Sequence, residues 1–95
     1  MIGSNNNLFE NIKLEYLNVS DLPMESLDLK TNELIKELHV VNTKITNLDL
    51  SFNINLEILA LYDLPMSMIN LSFNKQLYDL GVYYVPLKTL DLSSN

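Results

Sequence analysis

The stretch LDLSFN at residues 48–53 returns as INLSFN at residues 69–74 and as LDLSSN at residues 90–95, each time after 21 residues. Shifting the whole chain by this step aligns it with itself without a gap. Six alignment columns are apolar in every copy, and in the first copy they are Leu14, Leu17, Val19, Met24, Leu27 and Leu29. A seventh column is asparagine throughout: Asn11, Asn32, Asn53, Asn74 and Asn95. A repeat of this length predicts a solenoid of stacked units.

Each unit reads LxxLxL, then a short turn, then a second apolar segment that ends two residues before the asparagine. The alternation of apolar and polar residues within both segments predicts two short extended stretches per unit. Proline lacks an N–H group and belongs outside a hydrogen-bonded ladder, so Pro23, Pro65 and Pro86 mark the first turn. A unit of 21 residues cannot bury its own apolar face, whereas stacked units cover one another at about 4.8 Å per strand.

Composition excludes several classes of function. The chain has 95 residues, which suffices for one domain. It carries 6 Lys+Arg against 12 Asp+Glu, and this net charge of -6 argues against a nucleic acid or an anionic membrane as partner. There is no cysteine and only one histidine, so thiolate and multi-histidine metal sites are excluded. We find no secretory signal and no apolar run long enough for membrane insertion.

The LxLxxN pattern of residues 48–53, 69–74 and 90–95 resembles that of the leucine-rich repeat family, and a 21-residue unit containing LDL is similar to its short bacterial repeats. This resemblance implies a mainly β, right-handed solenoid with parallel strands along a concave, protein-binding face. It predicts four 21-residue coils with two short strands each and little or no helix. It also implies a bacterial parent protein that is secreted or displayed on the cell surface. The asparagine follows the second segment, which leaves open which strand is concave; we expect the first, because its outward positions are bulkier and more varied.

The repeats predict a polar lead over residues 1–7 and a solenoid over residues 8–95. Neither end shows a cap, and the last coil is expected to present Leu87, Leu90 and Leu92 to water. Open solenoid ends expose core and unpaired strand edges. We therefore expect a fragment of a longer array, or a chain that associates with itself end to end.

The outward positions of the first segment supply the candidate binding residues. The period places Tyr62 next to Tyr83, with Val41 beside them and Tyr84 near. Tyrosines on a rigid strand suit a binding hot spot, but aromatic pairs also stabilise sheets without binding anything, and the sequence allows both interpretations. The candidate partner-binding residues are Tyr62, Tyr83, Tyr84, Val41, His39, Glu37 and Ile58.

The remaining columns have structural interpretations. The asparagine column is expected to form a ladder that hydrogen-bonds the backbone of adjacent coils. Asp28, Asp49 and Asp91 share a column that could hold calcium. Calcium takes about 6–8 oxygen ligands, so we expect each carboxylate instead to point out to water or to accept a local backbone N–H. Phe52 and Phe73 are expected to stack as a spine under the turn rather than to have an exposed binding role.

No catalytic, cofactor or metal site is predicted. His39 is the single imidazole, and nothing in the spacing brings it to a serine and an acid at once. We expect a non-enzymatic module that binds a protein partner through an exposed strand face. The alternatives are a structural spacer without a binding face and an accessory segment of a larger enzyme.

Overall fold

The computed structural model describes residues 12–95, and it contains one strand in each repeat. The strands are β1 (Tyr16–Ser20), β2 (Glu37–Val41), β3 (Ile58–Tyr62) and β4 (Asp79–Tyr83). They form one parallel sheet in the order β1-β2-β3-β4, and residues 12–95 contain no helix. The fold is the predicted β solenoid, with four successive strands of one sheet. The predicted lead over residues 1–7 and the first ladder position, Asn11, lie outside the described residues.

The register of the sheet repeats the sequence period without any offset. Leu17 pairs with Leu38, Leu38 with Leu59, and Leu59 with Leu80, so each apolar column becomes a row across the strands. The second and fourth residues of each strand point inward, and in β2 and β3 these side chains are fully buried. The core also takes in the second apolar segment of each coil. The buried leucines of these segments are Leu27, Leu29, Leu48, Leu50 and Leu71.

The prediction of two strands per coil was wrong for the second segment. The backbone does not form a strand in the second segments, residues 27–29, 48–50 and 69–71. Their leucines are nevertheless buried. The backbone bonds locally here instead of to the next coil: the N–H of Asn53 donates to the carbonyl of Leu50 at 3.1 Å, and that of Ser51 to the Asp49 carboxylate at 3.0 Å. Alternating burial is therefore achieved in these segments without a ladder.

Stacking provides the burial of the core, as the last coil shows. Leu90 and Leu92 are 41% and 46% exposed, whereas their equivalents two coils earlier, Leu48 and Leu50, are 4% and 1% exposed. The earlier pair is covered by a following coil, and the later pair has none in the structure. Each coil thus covers the apolar side chains of the coil before it.

A left-handed residue follows every strand and directs the chain into the turn. These residues are Asp21, Asn42, Asp63 and Tyr84, with φ between 51° and 58°. The first three still donate their backbone N–H groups to the neighbouring strand, as Asp21 does to the carbonyl of Val41 at 2.9 Å. The position therefore ends the strand while keeping its hydrogen bonds.

Candidate functional site

The asparagine column forms a continuous ladder between coils. The amide nitrogen of Asn53 donates to the carbonyls of Leu29 at 3.1 Å and Asn32 at 2.9 Å. Asn74 repeats this geometry one coil later, with both distances at 3.0 Å, and Asn95 follows at 3.0 and 2.6 Å. Asn53 and Asn74 are buried, so their amide groups hold adjacent turns together out of contact with water. The side chains of Asn53 and Asn74 thus bond the backbone of the preceding coil, as the sequence predicted.

The second polar column is occupied by local hydrogen bonds. Asp28, Asp49, Asn70 and Asp91 each accept the backbone N–H two residues on, at 2.9–3.1 Å. The pKa of Asp49 lies below its usual value, mainly because the Ser51 hydroxyl donates a hydrogen bond to the carboxylate. The hydrogen bond from the backbone N–H of Ser51 is the second cause. No group of three or more metal-ligating side chains occurs among residues 12–95.

The phenylalanine column does not form the predicted spine. Phe52 and Phe73 are 48% and 50% exposed, so the prediction that they lie under the turn was wrong. The space beneath the turn is filled by the amide groups of Asn53 and Asn74, which directly follow the two rings in sequence. The aromatic side chains are left on the outside.

The outward face of the sheet carries most of the variable side chains. The first, third and fifth residues of each strand point to this face, and they lie in three rows across the sheet. All five tyrosines of the chain belong to a strand or directly adjoin one, and all are exposed: Tyr16, Tyr62, Tyr78, Tyr83 and Tyr84. The exposed tyrosines are therefore concentrated in and beside the strands of the sheet.

Three of these tyrosines meet at the end of β3 and β4, and we call them the tyrosine cluster. The rings of Tyr62 and Tyr83 have centroids 6.1 Å apart and planes inclined by 42°. Those of Tyr62 and Tyr84 lie 5.4 Å apart, edge to face at 76°. Val41 pairs with Tyr62 in the register and extends the row by one strand. The structure thus brings together four of the candidate binding residues.

The other three candidates lie elsewhere on the same face. His39 and Glu37 are bonded to each other, with the imidazole Nε2 2.7 Å from the carboxylate, and the His39 ring lies 5.5 Å from that of Tyr16. Ile58 is the first residue of β3, whereas Tyr62 is its last. These residues are outward-facing but are separate from the tyrosine cluster. Tyr16 and Tyr78 are 52% and 73% exposed and were not among the candidates. The period already places Tyr16 in the first strand and Tyr78 next to the last one.

Tyr84 has an unusual backbone conformation. Its φ is 55°, in a column where the other coils have Asp21, Asn42 and Asp63. Aspartate and asparagine tolerate the left-handed region, but for a bulky residue this conformation costs about 1–2 kcal/mol. Tyr84 is 78% exposed, and the edge-to-face contact with the Tyr62 ring offsets part of this cost.

Gly81 lies under the cluster rather than opening a hollow beside it. A β-carbon built on Gly81 would come within 3.2 Å of the Tyr83 ring. The ring therefore leans over the glycine, where His39 and Ala60 occupy the equivalent positions of β2 and β3. The small residue allows Tyr83 to lie low on the sheet.

The hydroxyl groups of Ser20 and Ser51 donate to side chains other than His39. Ser20 donates to the side-chain oxygen of Asn18, and Ser51 donates to Asp49 at 2.6 Å. Neither hydroxyl has His39 as its acceptor in these bonds.

Within residues 12–95, the structure contains no helix of the length and apolar character needed to cross a bilayer.

The period, the parallel sheet and the asparagine ladder together define a solenoid repeat protein. Its fold is similar to that of the functional domain of InlJ from Listeria monocytogenes, with a TM-score of 0.89 and 24% sequence identity. The match covers 94% of this chain, which spans only 20% of that one. The InlJ domain is described as including a cysteine ladder, whereas this chain has no cysteine. No protein-family model and no curated protein matches the sequence.

Proposed function

We propose that this chain is a leucine-rich repeat segment that binds a protein partner through the tyrosine cluster. The observation that carries the proposal is Tyr84, whose bulky side chain occupies a left-handed position and is 78% exposed. Backbone strain of this kind is concentrated at functional sites, and the contact with Tyr62 leaves most of the Tyr84 side chain exposed. Asparagine or aspartate would satisfy the turn at lower energy, so the turn itself does not explain a tyrosine.

The composition and rigidity of the cluster support the same proposal. Tyrosine combines a large contact area with few rotatable bonds, and it is enriched at interface hot spots. Tyr62 and Tyr83 extend from paired strands, so little backbone entropy remains to be lost when a partner binds. The leucine-rich repeat pattern supports a secreted or surface-exposed bacterial parent protein as part of the proposal.

The proposal does not include catalysis. His39 is bonded to Glu37, and Ser20 and Ser51 donate to other side chains. Within residues 12–95, these bonds therefore do not pair either serine hydroxyl with the histidine, as a nucleophile and its general base would be paired.

A displayed peptide library tests the proposal. Phage bearing random peptides are panned on the immobilised chain, and enriched clones are tested against the double variant Tyr62→Ser/Tyr84→Asn. We expect enriched clones that lose at least about tenfold in affinity for this variant, because hot-spot residues contribute about 2 kcal/mol or more each. The matched control Tyr16→Leu removes an exposed tyrosine from the same face, two strands from Tyr62, and binding should be unchanged.

Two results would contradict the proposal. Clones that bind the double variant as well as the original chain would place the contact elsewhere. A failure to enrich any clone would favour the structural spacer. The variant must first give a circular dichroism spectrum and an unfolding midpoint like those of the original, which the exposure of both side chains leads us to expect.

A further inference from the structure

We infer that the partner of the tyrosine cluster is cationic: a protein segment that places an arginine or lysine side chain against the rings of Tyr62 and Tyr84. This inference rests on the proposed function and adds the chemistry of the partner to it. Two independent observations carry it, namely the arrangement of the rings and the charge of the face around them.

The cluster presents exposed ring faces that suit a cation. Tyr62 is central, with the Tyr84 ring at 76° to it and the Tyr83 ring at 42°. The faces of aromatic rings are electronegative, and a cation within about 6 Å of a ring centroid is attracted to them. The three side chains are 43%, 61% and 78% exposed, so ring surface remains open to a partner.

The charged side chains of the sheet face are mainly acidic, and its one imidazole, that of His39, is bonded to Glu37. Its strands carry Glu37 and Asp79, and Asp21 and Asp63 follow β1 and β3. All six lysines of the chain lie outside the four strands and outside the left-handed positions that follow them, and there is no arginine. Lys44 lines a hollow with Asp21 and Asn42. Beside the cluster, Asp63 therefore attracts a cationic partner and repels an anionic one.

Asp63 is the acidic residue placed to act together with the rings. It follows Tyr62 directly and occupies the same left-handed column as Tyr84, one coil earlier. Side chains of adjacent coils meet in this column, as the hydrogen bond of 2.9 Å from Asn42 to Asp21 shows. Asp63 itself lies between Asn42 and Tyr84 in the column, and so adjoins the cluster.

The experiment is a titration of the ¹⁵N-labelled chain with two peptides of equal length, followed by NMR. One peptide alternates arginine and serine, and the other alternates glutamate and serine. We expect the arginine peptide at low-millimolar concentration to shift the amide signals of residues 62–63 and 83–84 most strongly, with shifts that diminish as salt is added. The glutamate peptide should leave these signals in place.

Variants separate attraction by the rings from general attraction by an acidic chain. Tyr84→Asn should weaken binding of the arginine peptide about two- to fivefold, the range expected for an exposed cation–π contact. Asp63→Asn should weaken it as well and reduce its dependence on salt. Both positions accept asparagine without strain, since Asn42 already occupies the column. Tyr16→Leu should have no effect.

Three outcomes would overturn the inference: equal shifts with both peptides, shifts spread evenly over the acidic column at residues 28, 49 and 91, or no shift at all. The display experiment distinguishes this failure from failure of the proposed function. Clones that depend on Tyr62 and Tyr84 but are neutral or acidic would leave the cluster as a binding site and remove only its cationic partner.

Discussion

Replacing Asn53 tests the physical basis of the stack. Its side chain is 1% exposed and donates to the carbonyls of Leu29 and Asn32 in the preceding coil. Each of these hydrogen bonds contributes about 1 kcal/mol net, and Asn53→Ala also leaves a small buried cavity. We therefore expect the free energy of unfolding to fall by about 2–4 kcal/mol, a large part of the roughly 5–15 kcal/mol of a whole domain.

The replacement Asn53→Asp is a sharper version of the same test, because it keeps the shape and removes both donors. At neutral pH it places a negative charge against two carbonyl oxygens, so it should destabilise more than alanine does. Burial raises the pKa of this carboxyl in the folded state, which then binds more protons than the unfolded state. The stability of the variant should therefore fall as the pH rises above about 4, and recover below it.

Urea unfolding followed by circular dichroism measures these changes, and Asn55→Ala is the matched control. The side chain of Asn55 donates a single hydrogen bond to the carbonyl of Glu33, at 2.9 Å and within reach of water. Its loss should cost no more than about 1 kcal/mol. If Asn53→Ala costs no more than Asn55→Ala, or if Asn53→Asp is as stable as the original at neutral pH, the ladder does not hold the coils together.

Three further predictions concern single side chains. At the left-handed position of Tyr84, Tyr84→Asn should be at least about 1 kcal/mol more stable than Tyr84→Val in urea unfolding, and equal stabilities would show that the position is not strained. Gly81→Ala should raise the free energy of unfolding by about 0.5 kcal/mol, because alanine suits a strand better and the exposed Tyr83 ring can move aside; a loss would show that the ring is fixed. Ser51→Ala removes the main cause of the lowered pKa of Asp49, so the pKa should rise towards its usual value in an NMR titration. In the original chain, ionised Asp49 stabilises the fold above the pKa that this carboxyl has in the unfolded chain, and this contribution is lost as the pH falls through its folded pKa. The contribution should be smaller in Ser51→Ala. An unchanged titration of Asp49 would contradict this prediction.

The period of the sequence predicted the solenoid because one apolar column can be buried only by its copy in the next coil. The same logic placed Tyr62 beside Tyr83, which lie opposite each other in the register. The prediction of a strand in the second segment was wrong because alternating burial does not require a ladder. Asp49 and its equivalents bond the backbone N–H two residues on, and this local bond competes with pairing to the neighbouring coil.

Two features of the candidate site could not be predicted from the pattern of residues in the sequence. The left-handed conformation of Tyr84 contradicts the preference of its own residue type, and only its column, with Asp21 and Asp63, hints at a turn. The exposure of Phe52 depends on which of two adjacent side chains enters the space under the turn. That space accommodates the amide group of Asn53, and the hydrogen bonds which decide this exist only once the coils are stacked.

The offset-free register also bears on how such a gene can change in length. Each strand contacts only the strand before it and the strand after it in the chain. Excision or duplication of one whole repeat by recombination therefore rejoins leucine to leucine and asparagine to asparagine, and the product differs from its ancestor only in the number of coils. Insertion of a single residue within a strand would instead turn its leucines outward. Whole repeats are therefore the units whose gain or loss preserves both the apolar columns and the asparagine ladder.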